Sequence, residues 1–130
     1  MQRTSLTHPL KIDTLTVPGT TGQIGMTFCP GKVQSNALTG SWHRDLETDI
    51  QAIEAWGASI IISLMQPHEL KAVMVPHLPE RASAKMKHFL LPMQDADIPD
   101  AKWEEAWKKA GPQVRAAIQG GEKVLIHCLG

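Results

Sequence analysis

The last seven residues, Val124-Leu125-Ile126-His127-Cys128-Leu129-Gly130, combine residue types that could do chemistry. Three apolar residues read as a short buried strand. A histidine and a cysteine stand at its end, and a glycine follows two residues on. A thiol of ordinary pKa, ~8.5, is mostly protonated at pH 7. At a strand end followed by a tight loop, backbone N–H groups converge on the sulfur, and such surroundings lower a cysteine pKa to roughly 3.5–7.5. The same N–H groups can hold the oxygens of an oxyanion. Gly130 suits such a loop, because inward-turned amides need residues without a side chain in the way. Two uses of Cys128 are therefore open: a small apolar residue finishing a core strand, or a nucleophile.

A nucleophile that displaces an oxygen needs a proton for the leaving group. Asp95 and Asp97 lie just beyond a predicted strand over 88–93. In a parallel sheet that strand's end and the end of 124–128 share one edge, where sites of this kind form. Asp95, Asp97 and Asp100 also fit loop and helix-capping uses, so the residues alone leave the acid open among them. His43, His68, His77 and His88 follow no metal-ligand spacing and read as solvated or capping residues. No metal and no organic cofactor is implied. Cys29 reads as structural. No spacing argues that it meets Cys128, so no disulfide between them is expected.

The bulk properties narrow the field. A chain of 130 residues can build one domain with a real core. Basic and acidic side chains number 13 each, so nothing suggests a polyanion-binding surface or a nucleic-acid partner. No apolar run approaches the ~20 residues of a membrane helix. The N-terminus is polar and broken by Pro9, unlike a signal peptide. Two cysteines are too few for a disulfide framework, so a reducing, cytoplasmic setting is expected.

The elements that must position these residues can be read in order. Residues 10–17 and 24–29 have the look of strands, separated by the turn cluster Pro18-Gly19-Thr20-Thr21-Gly22, and could pair as a hairpin. Residues 32–43 read as an irregular surface loop. A helix is predicted over 45–56, with Leu46, Ile50 and Ile53 on one face and Gly57 at its end. Arg44 is taken as a residue of the helix start. Residues 59–65, Ser-Ile-Ile-Ile-Ser-Leu-Met, read as a central parallel strand, apolar on both faces. Short helices follow over 67–74 and 80–86. A long helix begins near Asp100, with Trp103, Ala106, Trp107, Ala110, Val114, Ala117 and Ile118 on its apolar face. Gly111-Pro112 is expected to kink or split it. The last strand is 123–128. The fold class is α/β, with a mostly parallel central sheet flanked by helices.

Taken in order, several pieces resemble the dual-specificity protein tyrosine phosphatases, nearest to the kinase-associated phosphatase group and its bacterial relatives. They are Cys29-Pro30-Gly31, Arg44-Asp45-Leu46-Glu47-Thr48-Asp49, His68-Glu69-Leu70, Val75-Pro76-His77-Leu78, Pro92-Met93-Gln94-Asp95 with Pro99-Asp100, and the C-terminal Val124–Gly130. The resemblance spans roughly residues 10–130. It implies a cysteine-phosphatase-like fold and hydrolysis of phosphate monoesters, with a phosphorylated protein or a small phosphate ester as partner. Carried over by position, Cys128 is the nucleophile and Asp95 the general acid. His127 orients the loop and tunes the thiolate, and Leu129 and Gly130 belong to the phosphate-binding loop. Two rival readings are a rhodanese-like sulfurtransferase and a non-catalytic binding module. His127 and the Asp95 loop argue against the sulfurtransferase.

The resemblance also implies an arginine six positions after the cysteine, past Gly130, and a helix after the loop. Residues 1–130 are thus expected to form a single, C-terminally incomplete phosphatase-like domain, with one sheet face short of cover. The 130-residue polypeptide alone is expected to show negligible phosphatase activity. Loss of one preorganised donor typically costs ~10²–10³ in rate, and half the loop goes with it. Robust hydrolysis of an aryl phosphate by the purified polypeptide, free of contaminating enzyme, would overturn that expectation.

Overall fold

The computed structural model describes residues 2–37, 40–93 and 100–130. In chain order the elements are β1 (Gln2–Arg3), β2 (Asp13–Thr16), β3 (Gln23–Thr27), β4 (Val33–Ala37), β5 (Gly40–His43), α1 (Leu46–Trp56), β6 (Ala58–Ser63), α2 (Pro67–Ala72), α3 (Leu78–Ser83), β7 (Lys87–Leu90), α4 (Ala101–Gln119) and β8 (Lys123–His127). The main sheet has the strand order β2-β3-β8-β6-β7. Strands β3, β8, β6 and β7 run parallel, and β2 pairs antiparallel with β3. The α/β class, the central parallel strand β6 and the hairpin of β2 with β3 all match the sequence pattern.

Alternation along the central strands builds two cores. Ile61 and Leu125 face α1, α2 and α3, joining Ile50, Ile53, Leu70, Leu78 and Ala82. Ile60, Ile62 and Val124 face α4, joining Ala110, Val114 and Ala117. The central strands are covered from both sides, as strands apolar on both faces require, so the expectation of one sheet face short of cover does not hold for them. Leu15 on β2 and Met26 on β3 stay exposed, 62% and 60%. Among the described residues no helix is long and apolar enough to cross a membrane.

Two further expectations are corrected. Residues 32–43 are not an irregular loop: β4 and β5 pair antiparallel, and β1 adds alongside β5 to make a second, three-stranded sheet. Its polar strands gain their hold through Trp42, which is buried against Phe28 at 5.0 Å between ring centroids. Helix α4 is not split at Gly111-Pro112 but runs unbroken from Ala101 to Gln119. Proline removes one N–H bond to the carbonyl four residues back. Here Pro112 and Lys108 both lie on the exposed side, so water can take that carbonyl, while Ala110, Val114 and Ala117 keep the other side on the sheet.

Arg44 differs too. It is 3% exposed and pairs with Asp49 inside α1, through Nε to Oδ2 at 2.8 Å and Nη2 to Oδ1 at 2.9 Å. Its Nη1 donates to the carbonyl of His8 at 2.7 Å. Asp49 also accepts from Ser5 Oγ at 2.9 Å and from the backbone N–H of Gly31 at 2.8 Å. Breaking a buried pair from one side leaves an uncompensated charge and costs ~3–5 kcal/mol. Asp49→Ala should therefore lower the stability of the fold by about that much in urea unfolding. The apolar pair Arg44→Met with Asp49→Leu should lose less. A near-neutral Asp49→Ala would mean that the pair does not hold this corner.

Candidate active site

Parallel pairing sets one row of residues across the C-terminal edge of the main sheet. Thr27 of β3 faces His127 of β8, His127 faces Ser63 of β6, and Ser63 faces Leu90 of β7. Ladder bonds carry the row one step further, from Leu64 N–H to the carbonyl of His127 at 3.0 Å and from Leu91 N–H to that of Ser63 at 2.9 Å. Cys128 comes next after His127. Its side chain is exposed and its thiol free. A cavity of about 320 Å³ opens beside it, lined by Lys11, Asp13, Met26, Thr27, Phe28, Cys128 and Gly130.

His127, the residue before Cys128, is 1% exposed. Its Nδ1 is 3.2 Å from the carbonyl of Cys128, and its Nε2 is 2.6 Å from Ser63 Oγ. Ser63 Oγ is also 2.8 Å from His88 Nε2. The protons on this chain can be assigned. A carbonyl only accepts, so Nδ1 of His127 carries its proton and Nε2 accepts from the Ser63 hydroxyl. That hydroxyl has one proton to give, so His88 Nε2–H donates to Ser63 Oγ. Burial pushes His127 down to about 4, against the opposing effect of its bond to the Cys128 carbonyl, and with a smaller lowering by His88. Burial likewise pushes His88 down to about 4. At pH 7 both rings are neutral. His127 therefore acts on the Cys128 backbone as a neutral hydrogen-bond donor, fixed from behind by Ser63 and His88.

On the other side lies the turn Cys29-Pro30-Gly31. Gly31 sits at φ +72°, and a Cβ there would come within 2.7 Å of Leu46 Cα. Cys29 is fully buried, and its N–H reaches the carbonyl of Leu129 at 3.4 Å. Burial pushes its thiol up to about 12, against a lowering by Lys32 and with smaller increases from Cys128, Asp49 and Glu69. It is a packed, protonated thiol, which agrees with a structural role. The expectation that nothing brings Cys29 toward Cys128 does not hold, since the turn and the C-terminal loop touch. Both cysteines are nonetheless free. Leu129 packs partly against the first core, and Gly130 sits at φ +123°, in the region that favours glycine.

Sequence reasoning missed three of these residues. In the sequence Ser63 carries only the pattern of a strand residue. His88, taken as a solvated or capping residue, is half-buried and bonded to Ser63. Lys32, 2% exposed, lies against the loop after Cys128 with Nζ 3.4 Å from the carbonyl of Leu129. Only the strand register brings the first two to His127. Asp95 and Asp97 lie outside the described residues. Asp100, the third acid considered, caps α4: its carboxylate accepts from the N–H of Trp103 at 2.8 Å.

The fold is that of the dual-specificity phosphatases, with the cysteine at the end of a central parallel strand. A solved structure that matches it is of kinase-associated phosphatase, in a variant with its catalytic-site cysteine substituted by serine. The two superpose with a TM-score of 0.79 at 19% identity, over 94% of this chain and 66% of the other. The chain thus spans a little under two thirds of that relative's length. No protein-family model matches the chain, and no curated protein matches it.

The two neutral histidines make stability depend on pH. Each has a folded pKa near 4, below the ~6.5 of an unfolded histidine. Between those values the unfolded chain binds more protons, so stability falls as pH drops from 6.5 toward 4. For the fully buried His127 the loss is on the order of 3 kcal/mol. Urea midpoints from pH 7 down to 4.5 should fall accordingly, and His127→Gln should flatten the slope. An equal slope in that variant would mean that His127 does not carry the effect.

Proposed function

We propose that the protein is a cysteine-dependent phosphatase of the dual-specificity type, hydrolysing phosphate monoesters through a phosphocysteine intermediate. The observation that carries this reading is the exposed free thiol of Cys128, at the end of a central parallel strand and at the head of a loop whose glycine stands at φ +123°, in the fold of kinase-associated phosphatase. The Cys128 thiolate attacks phosphorus. The bond from phosphorus to the ester oxygen breaks, and Asp95 gives that oxygen its proton. Water then attacks the phosphocysteine and passes a proton back to Asp95. The S–P bond breaks, releasing phosphate and restoring the thiolate. His127 holds the carbonyl of Cys128, so that the loop leaves β8 in one direction. Loop amides, with the arginine that the family resemblance implies, neutralise the charge on the phosphoryl oxygens.

A phosphorylated protein is the substrate class favoured here, by likeness to a relative whose name calls it kinase-associated; a small phosphate ester suits the same chemistry. The reading is tested in a chain that carries the loop through its arginine. Cys128→Ser should abolish turnover, and quenched reactions of the parent should contain phosphocysteine. Hydrolysis that survives Cys128→Ser would sink the reading.

The same chain tests the acid. Asp95→Asn should slow alkyl phosphates much more than aryl phosphates, because only poor leaving groups need the proton badly. Asp97→Asn should do far less. If the leaving-group dependence follows Asp97 instead, the acid is two positions further along the loop.

A further inference from the structure

Amides that turn inward on an anion leave their carbonyls on the outer side of the loop, and a buried carbonyl needs a donor. Lys32 stands on that side. It follows Gly31, whose N–H is tied to Asp49 in α1. Its Nζ is 3.4 Å from the carbonyl of Leu129, and the rings of Phe28 and Trp42 flank it at 4.9 and 5.2 Å. A Cβ at residue 130 would come 2.8 Å from this Nζ and 2.7 Å from Phe28 Cβ, so the ammonium lies directly against Gly130. Lys32 is 2% exposed, and among the described residues no carboxylate lies within 4.0 Å of it.

A buried ammonium without a counter-ion is costly. The negative charge it can serve is one that forms at the loop: the Cys128 thiolate, or an oxyanion over it. Burial lowers the Lys32 pKa; negative charge at Cys29 or Cys128 would oppose that, and Arg44 adds to the lowering. Lys11 and Asp13 line the cavity beside Cys128, and His127 is neutral.

We propose that Lys32 is a positioning residue for Cys128. Its ammonium holds the carbonyl side of the loop that starts at Cys128, turns the amide side toward the anion, and places a positive charge beside the nucleophile. This rests on Cys128 being the nucleophile of the reaction proposed above, and it does not depend on which ester is cleaved.

The readout is alkylation of Cys128 by iodoacetamide at pH 7 in the 130-residue chain, followed by peptide mass spectrometry. It needs no phosphatase turnover. Lys32→Met should slow labelling about tenfold, the effect of removing one nearby opposite charge. Lys32→Arg should restore it to near the parent rate. A role in packing alone predicts no slowing, since the Cys128 thiol is already exposed. Unchanged or faster labelling in Lys32→Met overturns the proposal. Slowed labelling, with no ester hydrolysis in a chain complete through the loop arginine, sinks the phosphatase reading while still showing that Lys32 acts on the Cys128 thiol. Should Lys32→Met fail to fold, NMR titration of Lys32 Cε takes its place, in the parent and in Cys128→Ser. Coupling between two groups is reciprocal. Lys32 should lose its proton at lower pH in Cys128→Ser, a change at an exposed position. An identical titration in the two chains overturns the proposal.

Discussion

The buried pair of Arg44 and Asp49 is the constraint on which the site depends. It costs the fold two desolvated charges, and it is offset only because every strong partner is in place. The guanidinium gives three groups to Asp49 and to the His8 carbonyl, and the carboxylate takes four donors from Arg44, Ser5 and Gly31. The bond to Gly31 matters most for the proposed site. It fixes the turn after β3 against α1, and Lys32 is the next residue. Gly31 must be glycine there twice over, for its φ of +72° and for its contact with Leu46. A helix and a strand turn distant in sequence are thus locked at the corner that faces the Cys128 loop.

The loop is held from two sides by groups of different charge. On one, His127 is neutral and acts through a hydrogen bond to the Cys128 carbonyl. On the other, Lys32 brings a charge to the Leu129 carbonyl. Both groups take carbonyls, not amides. Two successive carbonyls claimed from outside leave the amides of the same stretch to turn the other way. That is the arrangement an anion-binding loop requires. Gly130 permits it, since a side chain at that position would strike both Lys32 and Phe28.

The sequence shows much of the frame and little of the support. Leu46, Ile50 and Ile53 at helical spacing, Gly57 as the terminating residue, and the apolar run at 60–62 each reflect one dominant local force, so α1 and β6 were legible. Burial on one stripe or on both faces leaves a periodic trace. Strands β4 and β5 left none, because their hold comes from Trp42 stacked among Phe28, Lys32 and Arg44, contacts made across the chain. Pro112 misled for a related reason: its cost depends on whether the freed carbonyl meets water, which only the packed helix reveals. At the site, Cys128 and His127 were legible from their own motif. Ser63 and His88 were not, since register alone puts them in one hydrogen-bonded chain with His127. Lys32 falls in the stretch that reads as a surface loop, and only the pinned turn before it carries the lysine inward.

Where polar groups remain unpaired is itself informative. Leaving a buried donor or acceptor without a partner costs about 1–3 kcal/mol. The Arg44–Asp49 corner, with the largest charges, pairs its groups well. At the edge near Cys128 the pattern changes. Among the described residues Thr27 Oγ1 is buried without a partner, in register with His127 and on the wall of the same cavity. Lys32 offers three N–H groups, and among the described residues one carbonyl takes one of them. A fold that satisfies a fully buried ion pair has the means to satisfy a hydroxyl and an ammonium. Strain of this kind is tolerated where a ligand supplies the missing partners. Among the described residues Trp103 Nε1 on α4 is also buried without a partner, outside the lining of that cavity; the Thr27 hydroxyl and the Lys32 ammonium are the ones near the exposed thiol, where a bound oxyanion would bring acceptors to them.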